Sequence, residues 1–380
     1  MTTLWDTTGS AVVKELAAQR RTGGAVLSGV ALTLVVVAEE SRVTEAEEAA
    51  THAAEMHPCR VLVVVRRQID APGPRLDAEV QIGGRLGPGE AVVMRMYGRL
   101  ALHAESVVLP LLAADAPVVT WWHGVPPERI ARDALGVFAD RRITDSSLAE
   151  DPLACLRTRA EDYAPGDSDL AWTRSTGWRS ALASTLDSVS GRRGDSVRVL
   201  TGTIEGDPRN ATARLLAGWL SSRSGCAVDI TEATRSPGPS GVAAVKLSLD
   251  QDEEVEIRAD RRGGALISQP FRPDSTVALP ERPLGDLLSE ELRRLDPDEP
   301  YSEALEAATG LHGLSDRPAV RELVWFDPAA PEGDDEQRPA SAPTVPGDSE
   351  DADEVAESGE HDGDAAGDPD PTTGEGALTS

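Results

Sequence analysis

Two stretches of this 380-residue chain concentrate the side chains best suited to recognition. The first, Val118-Val119-Thr120-Trp121-Trp122-His123-Gly124, reads as a strand ending in two adjacent indoles and an imidazole. Neighbouring residues of a strand face opposite sides, so Trp121 and Trp122 cannot serve one surface together. One is expected to pack inward and the other, with His123, to lie partly exposed at the carboxyl end of an α/β strand, where crevices for ligands and partners form. Tryptophan is also a common interface anchor. The competing reading buries both rings and leaves His123 capping a turn. The second stretch places Trp172, Arg174, Trp178 and Arg179 within eight residues, combining aromatic area with fixed cations that can engage a carboxylate or phosphate through two bonds. It reads equally as a helix that docks its tryptophans internally while its arginines pair with nearby acids. A third feature, Gly202-Thr203-Ile204-Glu205-Gly206-Asp207 between a strand and a helix, could aim backbone N–H groups at an anion, with Gly202, Gly206 and Asp207 as its residues. It lacks the full dinucleotide spacing and also fits a tight turn into an Asp207 cap.

None of these identifies a reaction, and the usual reaction signatures do not occur. Gly-x4-Gly-Lys-Ser/Thr is absent, and Lys14 and Lys246, the only lysines, follow no glycine-rich turn. Gly-x-Ser-x-Gly is absent as well, so no serine nucleophile stands at a strand-to-helix turn. His52 and His57 are five apart on a predicted helix and face different ways, and no His or Cys pair has zinc spacing. Cys59, Cys155 and Cys226 are scattered and odd in number, which fits a reducing compartment and buried thiols. With 65 acidic residues, neighbouring carboxylates carry no signal. We therefore assign no catalytic residue, no metal and no cofactor from the sequence. Gly83-Gly84-Arg85-Leu86-Gly87 reads as a hairpin-type loop.

The elements that must position these residues follow from periodicity. A first helix, capped at Ser10, carries Val12, Val13 and Leu16 inward and stops at Gly23-Gly24. Residues 30–37 form a β-branched run suited to a strand covered on both faces, Thr44 and Glu47 form a capping box, and 59–65 is a second buried strand after His57-Pro58. Further strands are expected at 78–82, 91–97, 118–122 and 137–144, a helix at 102–113, and a helix capped by Asp145. The second half opens with a strand at 197–201, a helix with Asp207 as cap and Pro208 at its first position, and a strand at 226–230. Four short segments between 242 and 279 read as an antiparallel meander, and two leucine-striped helices follow. The fold class is thus α/β: an N-terminal α/β domain at 1–150, a helical connector at 151–190, a C-terminal α+β domain with a meander at 191–326, and a tail. Both domains are expected to have mixed sheets.

Charge separates the tail from the rest. Residues 327–380 hold 17 acidic groups against Arg338, a net −16 of the total −28. This Pro, Gly, Asp, Glu and Ser-rich segment buries too little apolar area to offset chain entropy and is expected to be disordered. A surface this acidic disfavours nucleic acid and anionic lipid. No apolar run reaches the ~18 residues that span a bilayer, and Met1 to Ser10 lacks a basic region followed by an apolar one. A soluble cytoplasmic protein is the expectation.

The segments HPCRVLVVV (57–65), VVLPLLAADAPVVTWWHGVPP (107–127), DLAWTRSTGWR (169–179) and VRVLTGTIEGDPRNATARLLAGWL (197–220) together resemble the OpcA family, in an order that covers nearly all of 1–326. The resemblance implies a non-catalytic assembly factor or allosteric activator of glucose-6-phosphate dehydrogenase, acting in the oxidative pentose phosphate pathway and NADPH supply. It implies no catalytic residues and no cofactor. The alternative from the residues alone is a sugar-phosphate- or nucleotide-binding α/β enzyme whose catalytic groups are scattered over loops.

Overall fold

The computed structural model describes residues 1–22, 30–83, 89–233, 240–260 and 262–320. The acidic segment expected at 327–380, the Gly23-Gly24 stop and the core of the 83–89 loop lie outside the described residues.

The chain runs β1 Thr2–Leu4, α1 Gly9–Thr22, β2 Leu32–Ala38, α2 Val43–Met56, β3 Cys59–Arg67, β4 Arg75–Ile82, β5 Glu90–Tyr97, α3 Arg99–Leu102, α4 Glu105–Val108, β6 Val118–His123, β7 Arg141–Thr144, α5 Pro152–Asp162 and β8 Asp167–Asp169. It continues with α6 Leu170–Arg174, α7 Thr176–Arg193, β9 Val199–Gly206, α8 Ala211–Ser224, β10 Val228–Glu232, β11 Val242–Leu249, β12 Glu253–Ala259, β13 Gly264–Ser268, β14 Ser275–Ala278, α9 Leu284–Leu292 and α10 Glu299–Thr309. The class is α/β with two mixed sheets. The first has the order β1-β4-β5-β3-β2-β6-β7-β8, the second β10-β9-β11-β12-β13-β14.

In the first sheet β5, β3, β2, β6, β7 and β8 are parallel, and β4 and β1 add antiparallel pairs at one edge. Both faces of its centre are covered, as the β-branched runs demand. Leu34 and Val36 face the alanines of α2, Ala46, Ala50 and Ala53, in one core. Val35, Leu62 and Val64 face the other way, into a core shared with Val12 and Leu16 of α1 and with Ala101, Val107 and Val108. Each such Val or Leu, fully buried, contributes roughly 1.5–3 kcal/mol of transfer free energy.

In the second sheet β9 and β10 are parallel and the rest is the antiparallel meander. One face, with Ile204, Val245, Leu247, Val255 and Ile257, packs on Trp178 and Leu182 of α7 and on Leu216 and Leu220 of α8. α8 and α10 pack so closely that a Cβ at Gly218 would lie 2.2 Å from the Ala304 carbonyl oxygen, so only glycine fits. After the meander, α9 returns to the first sheet: Leu287, Leu288 and Leu292 join the core beneath α2.

Several local expectations are corrected. α1 starts at Gly9, with Thr8 Oγ1 accepting from Ala11 N at 3.3 Å in place of a Ser10 cap. α2 follows directly on a 3-10 turn at Glu40–Arg42, and no side chain caps it, so Thr44 and Glu47 form no capping box. The helix expected at 102–113 is broken into α3, α4 and a 3-10 turn at Leu109–Leu111, with Pro110 inside the turn. α8 is capped by Asn210, whose Oδ1 accepts from Ala213 N at 2.9 Å, while Asp207 caps only a turn through Arg209 N. The segment 151–190 holds α5, α6 and most of α7, but a turn at 163–166 and β8, a three-residue strand paired with β7, interrupt its helices.

Candidate functional site

At the carboxyl end of β6 the indoles do point to opposite faces, yet neither is partly exposed. Trp121 is 0% and Trp122 2% accessible, because this sheet is covered on both sides. Trp121 lies in the α2-side core. Trp122 packs towards Gly136 in the segment that leads to β7. His123 is buried too, its ring 4.8 Å from that of Trp121 and its Nε2 2.9 Å from Oε2 of Glu45, which is 60% exposed in the first turn of α2. The hydrogen bond to the carboxylate fixes the orientation of the ring. Gly124 then leaves the strand with φ +142°, a conformation few side chains tolerate, beside Glu39 and Arg42.

The second concentration of residues sits where the two sheets are joined. Trp172 is buried, its Nε1 donates to Asp298 Oδ2 at 3.0 Å, and the Arg179 guanidinium stacks 3.5 Å from its ring centroid. Arg179 donates to Ser175 Oγ and Thr176 Oγ1, each at 2.9 Å. Burial lowers its pKa to about 10, against the pull of Asp298, Glu290 and Glu291, so it remains a cation at neutral pH. Cation–π stacking on Trp is the favourable geometry for such a group. Arg174 turns away and makes two bonds, 2.7 and 2.6 Å, to the buried carboxylate of Asp145. Trp178 belongs to neither group: it lies in the core beneath the second sheet, with Nε1 3.4 Å from Ser240 Oγ. Thus Trp172 and Arg179 come together, Trp121 and His123 form a separate ring contact, and Trp122 lies on the opposite face of the sheet.

Sequence reasoning missed the carboxylates that organise this junction. Asp169 accepts from Thr144 Oγ1 at 2.8 Å, Ser146 Oγ at 2.6 Å and Ala171 N at 2.9 Å, and so caps α6 while tying it to the ends of β7 and β8. Burial pushes its carboxyl up, and the neighbouring Asp145 adds to this. Glu291 of α9 accepts from Arg141 Nε at 3.0 Å and Thr173 Oγ1 at 2.6 Å, all within the interior. Arg142 pairs with Asp167. Their one sequence signal is the Arg141-Arg142 pair inside a strand covered on both faces, which demands buried acids opposite. Beside the Trp172–Asp298 contact, Arg294, Asp296, Pro297, Asp298, Glu299 and Pro300 line an open cleft of about 340 Å³.

The residues of the expected anion-binding turn fall in strand and turn. Gly202 and Gly206 lie within β9, the Gly202 N–H donates to Ala227 O at 3.2 Å, and the Asp207 N–H donates to Gly241 O at 3.3 Å. Both donors are engaged by backbone carbonyls. Cys59 and Cys226 are buried and Cys155 half-buried. Burial raises the pKa of Cys59 to about 12 and raises that of Cys155 as well, which keeps both thiols protonated and unreactive. Among the described residues no group of three or more His, Cys, Asp or Glu is arranged to hold a metal, and no helix is long and apolar enough to cross a membrane.

Residues 50–161 match the family described as the N-terminal domain of the glucose-6-phosphate dehydrogenase subunit, and residues 165–305 match the family described as its C-terminal domain. No curated protein matches the chain. Solved structures with some likeness include an oxidoreductase from Sinorhizobium meliloti (11% identity, covering 77% of this chain and 92% of that one, TM-score 0.35). An oxidoreductase from Pseudomonas syringae (10%, 77% and 91%, TM-score 0.35) is similar. So is a levoglucosan dehydrogenase in complex with NADH and L-sorbose (11%, 73% and 88%, TM-score 0.32).

Proposed function

Since the chain belongs to the OpcA family of glucose-6-phosphate dehydrogenase assembly proteins, we propose that it is a non-catalytic partner that binds that dehydrogenase and stabilises its active conformation. The observation that carries this reading is the succession of both family domains, at 50–161 and 165–305, on one polypeptide. The side chains that looked chemically capable support it: His123 is bonded to Glu45, Trp172 to Asp298 and Arg174 to Asp145, so each holds the fold together. An activator shifts an equilibrium only by its differential affinity for the two states, so a tenfold stimulation requires about 1.4 kcal/mol of preference for the active one. The setting of this role is the cytoplasm and the oxidative pentose phosphate pathway, where it would govern NADPH supply.

The test mixes the purified chain with the dehydrogenase of the same cell. Stimulation should saturate with added chain, and a complex should sediment as one species. A chain that neither binds nor stimulates the dehydrogenase, or that turns over a sugar phosphate by itself, overturns the proposal.

A further inference from the structure

Phe271, between β13 and β14 of the meander, has φ +65° and is 59% exposed. A bulky side chain in the left-handed region is strained, and exposing a phenyl ring forgoes the apolar transfer that would offset it. Such a conformation persists only where its surroundings over-determine it. Here Pro270 and Pro273 fix the backbone on both sides. Ser268 Oγ and Asp274 Oδ1, 2.8 Å apart, close the base of the loop. Arg272, next in sequence, is exposed and reaches Ser188 Oγ of α7 at 3.4 Å. The hairpin therefore presents a phenyl ring and a guanidinium, two groups enriched at protein interfaces, on a loop whose ordering entropy is already spent.

We propose that the Phe271-Arg272 tip is the anchor by which this chain grips the dehydrogenase, the ring entering an apolar pocket of the enzyme and Arg272 meeting a carboxylate on its rim. This rests on the functional reading above and deepens it. The tip lies within 165–305, the stretch that matches the C-terminal family domain. A preorganised aromatic is favoured in this role because little freedom is lost on docking, and anchors of this type dominate interface energetics. Arg272 supplies a positive contact from a chain of net charge −28, and so sets both the register and the sign of the complementary surface.

The experiment compares wild type, F271G and R272E in titrations against the dehydrogenase, with melting temperature measured alongside. Glycine accepts φ +65° without strain, so F271G is expected to melt at or above the wild-type temperature while the complex weakens at least tenfold. R272E should weaken it further at low salt than at high salt, as a charge contact requires. F271G that binds and stimulates like wild type overturns the anchor and leaves the functional reading intact. Failure of the wild-type chain itself to bind overturns the functional reading, and the anchor with it. Loss of self-association in F271G with full binding to the dehydrogenase assigns the tip to a second copy of this chain and also overturns the proposal.

Discussion

Replacing Glu291 by alanine tests whether the junction between the sheets is held by a buried charge. Glu291 is 5% and Arg141 2% accessible, and the guanidinium gives the carboxylate its Nε and Nη2 donors while the other oxygen accepts from Thr173. Removing the acid leaves Arg141 buried with only the Asp296 carbonyl as a partner at 3.1 Å among these contacts. Breaking a buried pair on one side costs about 3–5 kcal/mol, which for a unit of this size lowers the melting temperature by roughly 5–10 °C. The loss should appear as an earlier midpoint in a denaturant titration. Hydrogen exchange should rise first in α9, because Glu291 ties that helix to β7 and α6. The double variant Arg141→Met with Glu291→Leu removes both charges and should recover most of the loss, since apolar replacement of a buried pair is often neutral. A Glu291→Ala chain that melts within about 1 kcal/mol of wild type, or a double variant as unstable as the single one, refutes the reasoning.

Trp122→Ala should act on stability, lowering it by about 3–5 kcal/mol in a denaturant titration, because the ring is core and not surface. Stimulation of the dehydrogenase per folded molecule should stay unchanged. Cys59, its pKa raised to about 12 by burial, should resist alkylation at about pH 8 in the folded protein and react fully in denaturant, as read by mass spectrometry. Glu90 supplies the pH test. Burial pushes its carboxyl up, but hydrogen bonds and charge from Arg20 and Arg60 more than reverse this and leave it below the usual range. A depressed carboxyl contributes stability that is present above its unfolded value of about 4.3 and is lost as pH falls through the lower folded value. Glu90→Gln should therefore flatten the acid limb of a melting-temperature profile and cost stability at neutral pH.

Where local and global signals agree, the fold is legible. The runs 32–38 and 59–65 can only be strands covered on both faces, and the meander announces itself through its turns. The failures share a cause, which is that tertiary partners outvote good local chemistry. Asp207-Pro208 has every feature of a helix start, but β9 runs on to Gly206, and the turn that follows hands the cap to Asn210. Asp167-Ser168-Asp169 falls in the expected helical connector and is a buried strand, since Arg142 and Thr144 of β7 meet its acids. For the candidate site, alternation assigns Trp121 and Trp122 to opposite faces, but nothing near them in sequence reveals that both faces are roofed. The Trp172–Arg179 stack is foreshadowed by proximity in sequence, whereas its partner Asp298 lies 126 residues further on. Among 65 acidic residues Glu291 has no way to stand out.

The return of α9 to the first sheet has a consequence for the order in which this protein is made. The core beneath α2 receives Leu287, Leu288 and Leu292 only when the ribosome has passed residue 292, although β2, β3 and α2 are complete by residue 67. At about 5–20 residues per second, the core shared by α2, β2 and β3 waits roughly 10–45 seconds for these leucines. A nascent chain with that core still incomplete exposes apolar surface of the kind chaperones bind. The first sheet's core is therefore complete only after α9 has been made.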